Sequence, residues 1–525
     1  MIPILKNISN NKFTILFLIP FLIGGLIIFG FAPYNYTFIN FLSFPILLLL
    51  ILNVKKKTSS KYRKNKYKLN FLYIGCSFGF GFFLLGNYWI SISLTHDETF
   101  KFLIPLTLIF IPLFLSLFFA LAIFIVGPFA QKNIFFLLLF SVIFSLFEFL
   151  RGSLLTGFPW NLISYTWSWS IESIQILSLI GTYSLSLISI TFFCLPFIFF
   201  QKKIIKNNVF FALILSIFFI GNYFYGSYKI NDANYNFDED IGVKIISPNF
   251  SLKEYNTKNE VLLLNRLIKI SNPEKNKKTL FIWPEGIFHE SDLKEIDKYK
   301  TLFFNAFSDN HLIILGINSI DKNKKYFNSL VVLNNKLEVL SLYNKINLVP
   351  FGEFLPLENF LSKFGLKKIT KGYGSFSSGK KRHMINLGNK FNEKLILPLI
   401  CYEIIYSGKI KIKNQYPDLI VNISEDAWFG KSIGPYQHFA KATYRAVEEG
   451  VFIARSANRG ISAFINPNAK LIKSLNTREA GNIELNFPYF IEPTFFSNNG
   501  NKIFFLIILL YIFLILIFKN LKSDE

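Results

Sequence analysis

Sulfur and imidazole are scarce in this chain. Its 525 residues hold three cysteines, two methionines and five histidines. Cys76 and Cys194 lie inside long apolar runs, which leaves Cys401 without a partner in its own part of the chain. Such counts argue against a disulfide framework. No Cys/His cluster has zinc spacing, and no Walker or dinucleotide glycine loop occurs. Acid is also in short supply, with 33 Asp and Glu against 56 Lys and Arg and a formal net charge of +23. That excess does not mark a nucleic-acid binder. Much of it sits in short loops between apolar runs, and a Lys-, Asn-, Ile- and Phe-rich usage pervades the whole chain. Finally, residues 230–500 lack any apolar run long enough to cross a bilayer.

Apolar residues are plentiful elsewhere. The chain is 52% hydrophobic and 18% aromatic, with 64 phenylalanines, which points to a membrane class. Runs of about 20 apolar residues, the length that spans ~30 Å of hydrocarbon, occur at 13–33, 37–54, 69–93, 102–127, 133–150, 174–200, 208–227 and 502–518. The expected organisation is a seven-helix bundle over 1–229, an extracytoplasmic domain over 230–500, and an eighth helix with a short tail over 501–525. Residues 55–68 carry eight Lys/Arg and no acid. Lys132, Lys202, Lys203 and Lys206 mark further basic loops, whereas the 94–101 loop holds Asp97 and Glu98. Basic loops face the cytoplasm, and an odd seventh crossing then delivers residues 230–500 to the outer side. The first run is long, lacks a small-residue cleavage site and is soon followed by a second span, so it is read as uncleaved. Within the bundle, Glu148 and Arg151 lie one helical turn apart before Gly157-Phe158-Pro159-Trp160. They read equally as an ion pair near a lipid entry site and as an interfacial anchor. Gly79, Gly81 and Gly86 suit close helix packing.

Between 230 and 500 the pattern changes to short β-like stretches: 242–247, 280–283, 312–315, 329–333, 395–400, 419–423 and 461–465. Helical patterns at 256–271 and 437–450 fall between them, which predicts an α/β domain. Polar chemistry gathers after three strands. Glu285 follows Phe281-Ile-Trp-Pro, Lys345 follows Tyr343-Asn344 with Glu353 eight residues on, and Cys401 precedes Tyr402 and Glu403. Alone, Cys401 fits a buried structural cysteine better than a nucleophile, and a Glu or Lys after a strand is usually a solvated loop residue. As a set they make sense. A free thiol with a pKa near ~8.5 needs activation. A buried glutamate can take its proton, a lysine favours thiolate and stabilises an oxyanion, and the Tyr402 N–H is a second oxyanion donor. An unpaired thiol outside the cytoplasm is also exposed to oxidation, which weakens the structural reading. His289 and His438 do not fall at strand ends, and read as surface or structural hydrogen-bonding residues.

These motifs resemble the nitrilase, or carbon-nitrogen hydrolase, superfamily: Trp-Pro-Glu285, Tyr-Asn-Lys345 with Val-Pro-Phe-Gly-Glu353, Cys401-Tyr-Glu403 and Asp426-Ala-Trp428-Phe-Gly430. With the apolar spans, Gly-Phe-Ala-Pro33, Gly79-Phe-Gly81 with Trp89, and Thr156-Gly-Phe-Pro-Trp-Asn161, nearly the whole chain resembles the apolipoprotein N-acyltransferase family. That resemblance implies an αββα sandwich on the periplasmic side of an eight-helix bundle in the bacterial inner membrane. It implies a ping-pong reaction in which Cys401 takes the sn-1 acyl chain of a glycerophospholipid as a thioester. The α-amine of a diacylglyceryl-cysteine on an apolipoprotein then accepts it. Glu285 would be the base and acid, Lys345 the oxyanion partner, Glu353 and Glu403 would orient the lysine and shape the site, and Trp428 would line it. The resemblance also implies no metal and no organic cofactor; nothing beyond net charge suggests nucleic acid, and a monomer is expected.

Phe354, Leu355, Leu357, Phe360, Leu361, Phe364 and Leu366 read either as a membrane-facing lip or as a helix covering the domain's own core. Lys367, Lys368, Lys371, Lys380, Lys381 and Arg382 after them read as a solvated loop or as head-group contacts. Two departures from the family pattern stand out. Glu425 replaces a usual Asn; facing the thiol, its charge would raise the Cys401 pKa and slow attack. At Ser247-Pro-Asn249 a usual Gln and a nearby Trp are missing, with Tyr255 the nearest aromatic. Two rivals share some of these features. A membrane-anchored amidase would need only a single anchor. An inactive lipid transporter or binding protein would show a broken triad, and all three residues are present.

Overall fold

The computed structural model describes residues 11–58, 67–200, 206–356, 358, 375–412, 414–490 and 492–520. The chain forms two compact units. One comprises Met1–Ser91, Phe102–Asn231 and Asn499–Glu525; the other comprises Ile92–Lys101 and Asp232–Asn498.

Seven helices among the described residues are long and apolar enough to cross a membrane: Thr37–Lys56, Lys68–His96, Glu98–Phe129, Ile134–Arg151, Leu177–Phe199, Lys206–Asn231 and Lys502–Lys519; all belong to the first unit except for the Ile92–Lys101 portion of the second and third. The expected count is eight. The remaining run, read as 13–33, gives a shorter apolar helix, Thr14–Gly30. It stops early because Phe31 is extended at φ −94°, ψ 164°, and Pro33 cannot rejoin a helix. Glycines set the helix contacts. A Cβ on Gly24 would lie 2.0 Å from the Phe78 carbonyl oxygen, and one on Gly81 would lie 2.1 Å from that of Phe21. Only glycine permits backbones this close. Glu148 and Arg151 do pair, at 4.0 Å, and both are buried. Glu148 accepts from the Ile163 N–H at 3.1 Å and from the Ser186 hydroxyl, while Arg151 donates to the Phe158 carbonyl at 2.5 Å. The pair therefore satisfies the irregular backbone after Arg151 from inside the unit, as non-helical chain among apolar helices requires.

The second unit holds two six-stranded sheets. One runs β12-β1-β2-β3-β4-β5 and the other β11-β10-β9-β8-β7-β6. The strands are β1 Phe237–Ser247, β2 Lys278–Ile282, β3 His311–Ile320, β4 Tyr326–Leu333, β5 Val339–Asn344, β6 Ile385–Asn386, β7 Leu395–Ile400, β8 Leu419–Glu425, β9 Phe452–Asn458, β10 Ser462–Ile465, β11 Leu471–Leu475 and β12 Gly481–Pro488. Alternation assigns the faces. Leu280, Ile282, Leu312 and Ile314 meet Ile396, Ile400, Val421 and Ile423 of the second sheet in one core. Phe281, Trp283, Ile313 and Leu315 point the other way, onto Leu263, Leu264 and Leu267 of the helix Glu260–Ser271. The helix predicted over 256–271 is two, Leu252–Thr257 and Glu260–Ser271, because Asn259 caps the second by accepting from the Val261 N–H. The second sheet carries the helix Gly434–Glu449, buried along most of its length. The layers are α, β, β, α.

The parallel neighbours β2, β3 and β7, β8, β9 end on the same side of their sheets, and that edge carries the polar loops. Gly316 in β3 makes room for one of them. A Cβ there would lie 2.6 Å from the Glu285 Cα and 2.9 Å from the Gly286 nitrogen. Gly316→Ala is expected to cost about 1–3 kcal/mol through overpacking, read as a lower thermal unfolding midpoint in detergent. An unchanged midpoint would mean that this turn has slack.

Candidate active site

Three strand ends deliver three side chains. After β2, the turn Trp283-Pro284-Glu285-Gly286 closes with Gly286 at φ +66°. It buries the Glu285 side chain to 10% exposure. After β5, Lys345 is fixed through its backbone: its N–H donates to the Asn328 carbonyl at 2.9 Å, and its own carbonyl accepts from Gly379 at 2.8 Å. After β7, Cys401 begins the short turn Cys401–Ile405 with φ +49°. That left-handed conformation is uncommon in a residue with a Cβ and marks a strained elbow.

Lys345 is buried between two carboxylates. Its Nζ donates to Glu353 Oε1 at 2.9 Å and to Glu285 Oε1 at 3.3 Å. Asn328, in the middle of β4, uses the two hydrogens of one amide nitrogen on the same two oxygens, each at 2.7 Å. The outer oxygens are held by backbone. Glu285 Oε2 accepts from the Glu425 N–H at 3.0 Å, and Glu353 Oε2 accepts from the Val349 N–H at 2.8 Å. Burial opposes the lysine's charge, but Glu285 and Glu353 outweigh it and hold its pKa well above the usual range. The thiol is pushed the other way. Burial and the Glu285 charge raise Cys401 well above an ordinary cysteine, with Lys345 and a hydrogen bond from Ser424 opposing. Cys401 therefore rests as a thiol beside Lys345 and Glu285.

Glu403 serves a different purpose from Glu353. It is fully buried. Its Oε1 accepts from the Tyr343 hydroxyl at 2.8 Å, from the Ile346 N–H at 3.0 Å and from Arg382 at 3.0 Å; Oε2 accepts from the Ile400 N–H at 2.9 Å. It ties the lysine loop to the cysteine elbow. Arg382, read from sequence as part of a basic loop, turns inward to this carboxylate. Tyr402 is buried, with its ring 5.5 Å from that of Tyr406. Trp428 is half-buried, its ring 5.7 Å from the His96 imidazole. Of the apolar and basic stretch read at 354–371, only Phe354, Leu355, Pro356 and Glu358 are described; Leu357, Phe360, Leu361, Phe364, Leu366, Lys367, Lys368 and Lys371 lie outside the described residues.

The two departures from the family pattern meet each other. The Glu425 carboxyl accepts from Asn458 Nδ2 at 2.8 and 2.9 Å, from the Ala427 N–H at 3.1 Å and from the Tyr255 hydroxyl at 3.2 Å. Only its backbone N–H addresses Glu285. Burial pushes this carboxyl well above the usual carboxylate range, against the hydrogen bonds of Asn458 and Ala427.

The sequence motifs do not single out Asn328, although a lone amide in the apolar run Tyr326–Leu333 is a signal of the right kind. Nor do they join Asp426, Arg455 and His438. Asp426 pairs with Arg455 at 2.8 Å and lies 3.0 Å from His438 Nδ1. His438 Nε2 lies 3.3 Å from the Cys401 carbonyl oxygen. Among the described residues no group of three or more His, Cys, Asp or Glu could hold a metal.

A family model described as "Apolipoprotein N-acyltransferase N-terminal domain" matches residues 23–195, and one described as "Carbon-nitrogen hydrolase" matches residues 261–485. The apolipoprotein N-acyltransferase of Rickettsia prowazekii is 36% identical, covering 84% of this chain and 88% of its own length. That of Rhodopseudomonas palustris is 29% identical over 96% of this chain and 95% of its own length. Among solved structures, Saccharomyces cerevisiae Nit3 of the nitrilase superfamily is 17% identical, covers 49% of this chain and 93% of its own, and has a TM-score of 0.33.

The charges around Cys401 predict opposite effects on its alkylation. Thiolate is the reactive form, and its fraction grows as pH rises through the thiol pKa. Because that pKa is raised, iodoacetamide should label the native protein more slowly at pH 8 than it labels a free cysteine. Glu285→Gln removes a negative neighbour, lowers the thiol pKa and should speed labelling. Lys345→Met should slow it further. Labelling followed by intact mass checks both signs, and equal rates in all three proteins would contradict the electrostatic picture.

Proposed function

The chain belongs to the apolipoprotein N-acyltransferase family and is an N-acyltransferase of lipoprotein maturation, and we propose that its acyl group travels through a thioester on Cys401. The donor is the sn-1 ester of a glycerophospholipid. Glu285 takes the thiol proton as sulfur bonds to the ester carbonyl carbon. The tetrahedral oxyanion meets Lys345 and the Tyr402 N–H. The carbon–oxygen bond then breaks, the leaving alkoxide receives the proton from Glu285, and a lysophospholipid departs. In the second half the α-amine of diacylglyceryl-cysteine attacks the thioester carbon, Glu285 takes a proton from that nitrogen, and the sulfur leaves and is reprotonated. The products are an amide and the starting enzyme.

The observation that carries this reading is Lys345 shared by Glu285 and Glu353 through a common pair of oxygens. When Glu285 accepts the proton it loses its charge in the step that creates the oxyanion. Negative charge moves from Glu285 to the substrate oxygen, and the buried lysine keeps two anionic partners throughout. Little reorganisation is needed, which is what makes such electrostatic stabilisation effective. Glu353 orients the lysine, Glu403 braces the elbow and Trp428 lines the acyl path. In this reading the chain crosses the bacterial inner membrane eight times, counting Thr14–Gly30. Its α/β domain lies on the periplasmic side, as the basic runs 55–68 and 201–207 favour, and it works as a monomer.

Purified protein incubated with phospholipid should gain one acyl mass on Cys401 that hydroxylamine removes. Cys401→Ser should form no thioester, and a diacylglyceryl peptide should discharge the native adduct to an N-acyl product. Absence of any thioester on the native protein would overturn the route. Discharge to free fatty acid at the same rate without the peptide would mark a hydrolase.

A further inference from the structure

Cys401 enters the mechanism through its sulfur and through the N–H that follows it. The peptide joining Cys401 to Tyr402 has a second polar end, the Cys401 carbonyl, and His438 lies against it. His438 sits in the helix Gly434–Glu449 and is fully buried. Its Nε2 is 3.3 Å from the carbonyl oxygen, and its Nδ1 is 3.0 Å from Asp426 Oδ1 and 3.1 Å from Arg455 Nη2. The neighbours assign the ring proton. A guanidinium has donors only, so Nδ1 offers Arg455 its lone pair. Asp426 is supplied by the Ser424 hydroxyl at 2.6 Å and by Arg455 at 2.8 Å. With the proton on Nε2, that nitrogen donates to Cys401, and the Nδ1 lone pair, though it faces Asp426 Oδ1, is met by Arg455 Nη2, which also serves Asp426; with the proton on Nδ1, the Nε2 lone pair would face the Cys401 carbonyl oxygen, which brings no donor. Burial and the Arg455 charge hold the imidazole down to about 4, against Asp426, so the ring stays neutral at neutral pH.

We propose that His438 is a positioning residue of the oxyanion hole: by anchoring the Cys401 carbonyl it fixes the plane of the following peptide and aims the Tyr402 N–H at the developing oxyanion. A trans peptide points its C=O and N–H in opposite directions, so fixing one end aims the other. The elbow needs such an anchor because Cys401 holds φ +49°, a conformation that persists only where its surroundings impose it. Asp426 and Arg455 set the ring, and the ring sets the peptide. The inference rests on the Cys401 thioester route.

Two near-isosteric variants test it in the full-length protein. In His438→Gln the amide nitrogen reaches the position of Nε2 and keeps the donor to Cys401. In His438→Asn it reaches only the position of Nδ1, facing Asp426. Thioester formation from phospholipid and alkylation by iodoacetamide are followed side by side by intact mass. Alkylation displaces a halide at a saturated carbon and develops no oxyanion, so a misplaced hole leaves it alone while a collapsed site does not. We expect His438→Asn to slow thioester formation by roughly 10²-fold, the usual loss for one oxyanion donor, with alkylation little changed and His438→Gln close to the native protein. Native rates in His438→Asn would overturn the inference, and so would equal impairment of the two variants or a matching fall in alkylation. The native protein separates this from the thioester route itself. If it forms no thioester, both fall; if it does and His438→Asn matches it, only the role of His438 falls.

Discussion

The site depends on one buried cation held by two anions. Lys345 has almost no contact with solvent, and an ammonium taken out of water costs several kcal/mol unless it is paired and hydrogen-bonded. Glu285 and Glu353 meet that cost only if both stay in place, which explains the rest of the scaffolding. Asn328 bridges their inner oxygens, and the N–H groups of Glu425 and Val349 hold the outer ones. Gly316 lets the Glu285 turn approach the sheet. The proposed acid–base, Glu285, and the proposed oxyanion partner, Lys345, are thus parts of one charge cluster, and moving a proton within it would shift charge by a few ångströms without unpairing the lysine.

The thiol is held by a second, separate device. Glu403 links β5, the loop after Lys345 and the end of β7 through one carboxylate. Asp426, Arg455 and His438 approach the same elbow from the other sheet and its covering helix. A left-handed residue is strained on its own and is stable only when neighbours on several sides determine it. The elbow is over-determined in this sense. Charge in the two devices is also kept apart: Arg455 neutralises Asp426 directly, and Glu425 gives its carboxyl to Asn458 and Tyr255 and only its N–H to Glu285.

Some of this was legible in the sequence. Apolar runs of bilayer length stand out because nothing but a helix can use them, and their helices fall close to the expected bounds. The 13–33 run misjudges its end because mean apolarity does not register a chain reversal at Phe31–Pro33. The strand ends bearing Glu285, Lys345 and Cys401 were readable because strands here terminate in Pro, Gly and polar residues. Asn328 was not, because it sits inside a strand, and period-2 reading treats an inward polar residue as noise. The Asp426–Arg455–His438 set was unreadable for another reason. Its members lie on β9, on the turn after β8 and on a helix, and only the parallel pairing of β8 with β9 brings them together. Arg382 shows the limit from the other side, since a basic cluster in sequence says nothing about which member turns inward.

The scarcity of acid takes on a physical meaning from these contacts. Of the 33 Asp and Glu, Glu285, Glu353, Glu403, Glu425, Asp426, Glu448 and Glu449 are all buried in the α/β unit. Each has partners there, Glu448 accepting from the Ser407 hydroxyl at 2.7 Å and Glu449 from the Ser497 hydroxyl at 2.8 Å, so each is fixed by what surrounds it, whereas exposed acids can be exchanged for lysine or asparagine at little cost to stability. A strongly basic chain can therefore carry an acidic interior. Net charge describes its surface and its loops, and it is silent about the cluster on which the chemistry depends. The same distinction accounts for the three cysteines. Thiol number argues against cross-links, but only the surroundings of Cys401, with Glu285 and Lys345 acting on its thiol, separate the proposed nucleophile from a small buried side chain.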